Sequence, residues 1–135
     1  MLIKTYKGKH VFQPHFFILN KANNCGKPLT AACANCFVCL LDTEEEKQFH
    51  YWLLYALWQT SQFDSYLCGS VIPFIHIKDV KSVVANAAIK ANNNLKKYHK
   101  ALDLLIEINK REGQLKQQIK VITNAKRILL REVLK

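Results

Sequence analysis

The sequence predicts a mixed α+β fold: a small strand-and-helix unit followed by one long C-terminal helix. Two observations carry this. Over residues 1–86, short runs rich in β-branched and aromatic residues alternate with Gly-, Asn- and Pro-containing breaks. Over residues 87–135 the apolar residues instead recur at steps of three and four, the period of a helix face. With 135 residues there is room for one compact domain plus an extended element. The expected division is 1–86 and 87–135.

In chain order, residues 2–6 and 10–19 read as strands separated by Lys7-Gly8-Lys9. Residues 20–28 crowd Asn, Gly and Pro together and read as a loop. Residues 33–41 form a third, buried strand. Asp42 or Thr43 can cap a helix whose first turn holds Glu44, Glu45 and Glu46, where carboxylates complement the helix dipole. That helix should reach about Gln62 and bury Phe49, Trp52, Leu53, Ala56 and Leu57. Residues 71–77 read as a fourth strand, placed at an edge or bulge by Pro73. Residues 78–85 lead into the long helix, for which Asn86 to Asn94 offer caps. The helix should pass unbroken through Gly113, although a glycine there costs about 1 kcal/mol relative to alanine; the rival is a helical hairpin turning at Arg111-Glu112-Gly113-Gln114.

The seam of the long helix comprises Leu95, Tyr98, Leu102, Leu105, Ile108, Leu115, Ile119, Ile122, Leu129 and Val133. Its steps follow a heptad, with a phase slip at Leu105 to Ile108 and polar intrusions at Glu112 and Lys126. Apolar residues spaced in this way are expected to form a dimer interface, most simply an antiparallel homodimer. The net charge of +10 is unevenly placed. Residues 1–86 hold eight lysines against six acids, a balance of +2, whereas residues 87–135 hold twelve basic residues against four acids, +8. Such a basic excess favours nucleic acid or an acidic protein partner.

Enzyme chemistry finds little to stand on. There is no Gly-rich phosphate loop and no nucleophile elbow, and the five histidines sit at no metal-ligand spacing. Cys33, Cys36 and Cys39 suggest zinc by spacing, but on a strand Cys36 would face away from the other two. Free thiols, no metal and no cofactor are expected. No apolar run approaches a membrane span, and residues 1–9 lack the apolar core of a secretory signal, so a cytoplasmic location is expected. Candidate DNA contacts are Lys4, Lys7, Lys9 and His10 at the first turn, and Lys21, Lys27 and Thr30 around the Asn-rich loop. Ser70, His76 and Lys78 flank the expected fourth strand. Lysines suit phosphates, while Ser, Thr and His can also reach base edges.

The order of segments resembles the specificity subunits of type I restriction–modification systems. The residues that carry the likeness begin with Asn35-Cys-Phe-Val-Cys-Leu-Leu and Tyr51-Trp-Leu-Leu-Tyr-Ala-Leu. Gly69-Ser-Val-Ile-Pro-Phe-Ile, Ile77-Lys-Asp-Val and a rod ending Lys126-Arg-Ile-Leu-Leu-Arg-Glu-Val-Leu follow. The resemblance spans about residues 30–135. It implies half a specificity subunit, with one target-recognition-like domain and one coiled-coil helix. Duplex DNA and a modification methyltransferase would be partners, and methyl transfer from S-adenosylmethionine would belong to that other subunit. The alternative is a coiled-coil adaptor or decoy that binds protein without reading DNA.

Overall fold

The computed structural model describes all residues 1–135 and shows a mixed α+β protein with a long C-terminal helix. Four antiparallel strands, β1 (Leu2–Thr5), β2 (His15–Leu19), β3 (Pro28–Leu29) and β4 (Cys36–Leu40), form one sheet in the order β1-β4-β2-β3. β4 pairs with β1 through Ile3 opposite Cys39 and with β2 through Phe16 opposite Cys39. Helices α1 (Glu44–Gln59) and α2 (Ile77–Asn93) and a 3-10 turn at Asp64–Tyr66 complete the first compact unit, Met1–Asn93. The second unit, Asn94–Lys135, holds α3 (Leu95–Val133).

Strand alternation divides the sheet's side chains between two layers. Ile3, Phe16, Ile18 and Cys39 are buried on one side of the sheet, and α1 and α2 bury Leu53, Leu54, Val80 and Val84. On the other side Phe17, Cys36 and Val38 make a second cluster, covered by Tyr6 and Val11 from the segment between β1 and β2. That segment is required by topology. β1 and β2 flank β4 and run parallel to each other, so the chain must cross the sheet face to join them.

The start of α1 matches the acidic first turn. Thr43 Oγ1 accepts a hydrogen bond from the Glu46 N–H at 3.1 Å, and Glu46 Oε2 accepts from the Asp42 N–H at 3.1 Å. α1 ends at Gln59, three residues before the expected Gln62, because the Thr60 hydroxyl takes the Ala56 carbonyl and Ser61 turns to φ 56°. Its fully buried residues are Leu53 and Leu54, with Phe49, Trp52, Ala56 and Leu57 half-buried. The expected stripe omitted Leu54.

Three expectations about strands need correction. β2 begins at His15, not residue 10, and β4 at Cys36, not residue 33. The expected strand over 71–77 does not form. There the chain makes a tight loop closed by reciprocal Cys68 and Phe74 backbone hydrogen bonds of 2.9 Å, with isolated bridges at Phe74, and α2 already begins at Ile77. Pro73 has no N–H to give a ladder. Gly69 sits at φ +93°, and a Cβ there would lie 2.5 Å from the Ile72 carbonyl oxygen. The fourth strand is instead Pro28–Leu29, at the end of the expected loop. The segment over 78–85 is part of the 17-residue α2.

Candidate functional site

Two surfaces gather the functional candidates: the apolar seam of α3 and a lysine-lined cleft on the first unit.

α3 starts where Asn94 Oδ1 accepts from the Lys97 N–H at 3.3 Å, and it runs 39 residues, about 58 Å, without a break. It passes straight through Gly113, where a Cβ would meet nothing within 4 Å. The ten seam residues lie on two faces. At about 100° per residue, Leu95, Tyr98, Leu102 and Leu105 share one face, and Ile108, Leu115, Ile119, Ile122, Leu129 and Val133 share another, roughly a third of a turn away. The phase slip at Leu105 to Ile108 marks the passage between them. Tyr98, Leu102 and Leu105 are half-buried, and burial pushes the Tyr98 phenol up to about 12. The second face is open: Ile108 is 64% exposed, Ile119 62%, Leu129 67% and Val133 82%. Leu104, absent from the expected seam, extends this open face by one turn.

The two polar residues on that face have a particular arrangement. Glu112 and Lys126 lie equally far before and after Ile119. So do Leu115 and Thr123, and Ile108 and Leu130, the latter beside Leu129. Reversed about Ile119, the face therefore exchanges its two polar intrusions, and its apolar residues exchange in the pairs Leu115 with Ile122, Ile108 with Leu129 and Leu104 with Val133 to within one residue. Glu112 also reaches Lys116 in its own helix at 2.6 Å, an exposed pair.

The lysine-lined cleft, about 570 Å³, follows β1, an outer strand of the sheet. Lys4, Lys7 and Lys9 line it together with Lys81 from α2 and the half-buried Tyr6, Val11 and Ile77, where it wraps the sheet edge above the buried Ile3 and Val38. No carboxylate lines it. The ion pairs of Lys47, Lys116 and Lys135 all lie elsewhere. A second cleft of about 440 Å³ adjoins at Ile77 and carries Asn20, Lys21, Phe74 and His76.

Five of the ten expected DNA contacts thus fall in two adjoining clefts. The other five are dispersed. His10 packs edge-on against Phe12, and Lys27 lies 4.9 Å over the Trp58 ring. Thr30 lines a separate cleft with His15, Lys47 and Tyr51. Ser70 and Lys78 are exposed and line neither lysine cleft. Lys81 escaped sequence reasoning because its segment was read as a connector and not as a turn of α2.

The cysteines behave differently from the strand argument. Cys33 precedes β4, and its N–H lies 3.5 Å from Cys36 Sγ, which in turn donates to the Cys33 carbonyl at 3.0 Å. Cys36 and Cys39 do face opposite sides of the sheet, as alternation requires. Burial pushes the Cys39 thiol up to about 12. No three His, Cys, Asp or Glu side chains are grouped to hold a metal ion, and no helix is long and apolar enough to cross a membrane.

The match that places the chain among known proteins runs from residue 3 to residue 132, across both units. The chain belongs to DUF6943, a family of unknown function. No curated protein and no solved structure matches it.

Proposed function

We propose that this protein is an assembly subunit that joins two copies through the open face of α3. The observation that carries the reading is the run of Leu104, Ile108, Leu115, Ile119, Ile122, Leu129 and Val133, all well exposed on one face of a continuous helix. Apolar surface left in water forfeits roughly 1.5–3 kcal/mol per large side chain, and a patch of this length marks an interaction site. The near-palindromic order about Ile119 supports a second copy in antiparallel register. Ile119 then meets Ile119, Ile108 meets the Leu129–Leu130 step, and each of the two polar intrusions meets its opposite charge. A parallel pair would set Glu112 against Glu112 and Lys126 against Lys126. Sedimentation equilibrium on the wild type and Ile119→Asp tests this. A dimer that the substitution dissociates supports the reading. A wild-type monomer soluble at tens of micromolar sinks it and favours an adaptor that pairs with a foreign helix.

The gathering of Lys4, Lys7 and Lys9 in one cleft favours nucleic acid as the assembly's partner. The likeness to type I specificity subunits would make that partner duplex DNA and add a modification methyltransferase. Binding that weakens steeply with salt is the signature, since each neutralised phosphate releases counterions.

A further inference from the structure

We infer that the lysine cleft along β1 binds an unpaired nucleic-acid strand, taking its phosphates on Lys4, Lys7, Lys9 and Lys81. This deepens the nucleic-acid reading and is independent of how α3 pairs.

The four lysines come from two elements, β1 with its following loop and α2, and all line one cleft along the sheet edge that no carboxylate lines. Like charges gathered in this way without counter-charge repel one another, so an anion that enters is favoured by all four. The walls select the kind of anion. Tyr6, Val11 and Ile77, each half-buried, give the cleft an apolar lining, which a bare inorganic phosphate would leave unfilled. A nucleotide offers both halves, a charged backbone for the lysine rim and a flat base for the apolar lining. Extent then favours a polymer over a free nucleotide. The adjoining cleft continues past Ile77 with Lys21 as a further cation, Asn20 as an amide able to pair with a base edge, and the Phe74 and His76 rings. Cations and aromatic rings lining adjoining clefts suit a strand whose phosphates repeat and whose bases are free to stack. In a duplex the bases are stacked inside a convex cylinder. Its phosphates could touch the lysine rim, but no base would reach the apolar lining.

The test is fluorescence anisotropy of a labelled 12-nucleotide thymidine strand against the same length of duplex. The proteins are wild type, Lys4→Gln/Lys7→Gln/Lys9→Gln/Lys81→Gln, and the charge-matched control Lys96→Gln/Lys100→Gln/Lys110→Gln/Lys120→Gln. All eight side chains are exposed, and circular dichroism checks that both variants fold. The strand should bind wild type at least several-fold tighter than the duplex. The cleft variant should lose at least about tenfold, the control much less, and the cleft variant's salt slope should flatten by about 0.7 per lost phosphate contact. Equal or tighter binding of duplex overturns the strand inference while leaving the nucleic-acid reading in place. Equal losses in the two variants place the binding on net charge and overturn the cleft. Strand binding that poly-glutamate or phosphatidylglycerol vesicles displace as readily as unlabelled strand assigns the cleft to acidic peptides or lipid. The absence of any strand or duplex binding sinks both the inference and the reading beneath it.

Discussion

Reversing the charge of Glu112 should break the α3 pair, and reversing Lys126 as well should restore it. In the register centred on Ile119, each dimer contains two Glu112–Lys126 contacts related by symmetry. Glu112 is about half exposed in the single chain, so each contact is a rim pair worth roughly 0.2–1 kcal/mol. Glu112→Lys replaces two attractions with two repulsions of similar size. The dimer should therefore weaken by about 0.8–4 kcal/mol, a roughly 4- to 800-fold rise in Kd. Lys126→Glu should do the same. Glu112→Lys/Lys126→Glu should return Kd to within about threefold of wild type, because the attraction is re-formed with its signs exchanged. Glu112→Lys also breaks the pair with Lys116 inside the helix, so circular dichroism of each variant separates lost helix from lost pairing. The assay is sedimentation equilibrium at 50 mM and 300 mM salt, where the differences should shrink as charge is screened. If the double variant is as weak as the two single effects combined, residues 112 and 126 do not meet and the register is wrong.

Three further outcomes follow from the fold. Gly113→Ala should stabilise the protein by about 1 kcal/mol and raise Tm, because the helix is continuous there and the added methyl meets nothing; a fall in Tm would mean the helix breaks at that point. His50 is held below its ordinary value of 6.5, chiefly by burial and against the pull of its hydrogen bond to the Glu46 carbonyl. The folded state therefore binds fewer protons than the unfolded one below that value, and stability should decline as pH falls through and below about 6.5. Urea titrations should show the decline in wild type and a flatter profile in His50→Gln; parallel profiles would remove His50 as the cause. A thiol reagent at neutral pH should label the half-buried Cys33 and Cys68 first and Cys39 last, since Cys39 is fully buried and its thiol is pushed up to about 12. Early labelling of Cys39 by peptide mass spectrometry would contradict the central place of β4.

The parts of the fold that could be read from sequence are those fixed by local chemistry. Thr43 followed by three glutamates defines a helix start wherever it is placed, and Asn94 was within reach as a cap. The unbroken helix through Gly113 was legible because the apolar steps stay in phase across it. What sequence missed depends on distant partners. Val71 and Ile72 look like strand residues, yet Gly69 and Pro73 bend them into an exposed loop. Pro28–Leu29 looks like loop and becomes a strand only because β2 offers Phe17 and Ile18 as partners. The binding candidates divide similarly. Lys4, Lys7 and Lys9 are neighbours in sequence and stay together, whereas Lys81 joins them only once α2 is docked beside β1. The seam appeared as one stripe because heptad steps tolerate a slip; burial shows two faces with Leu104 beginning the second.

Cross-linking from inside the seam tests most directly that the partner is a second, antiparallel copy. A benzoylphenylalanine introduced in place of Ile108, illuminated and digested with trypsin, should join that residue to the 128–131 peptide of another copy, because Ile108 faces the Leu129–Leu130 step when Ile119 meets Ile119. A link to the region around residue 108 itself would mean parallel pairing. Illumination that yields only uncross-linked monomer would contradict self-assembly through this face.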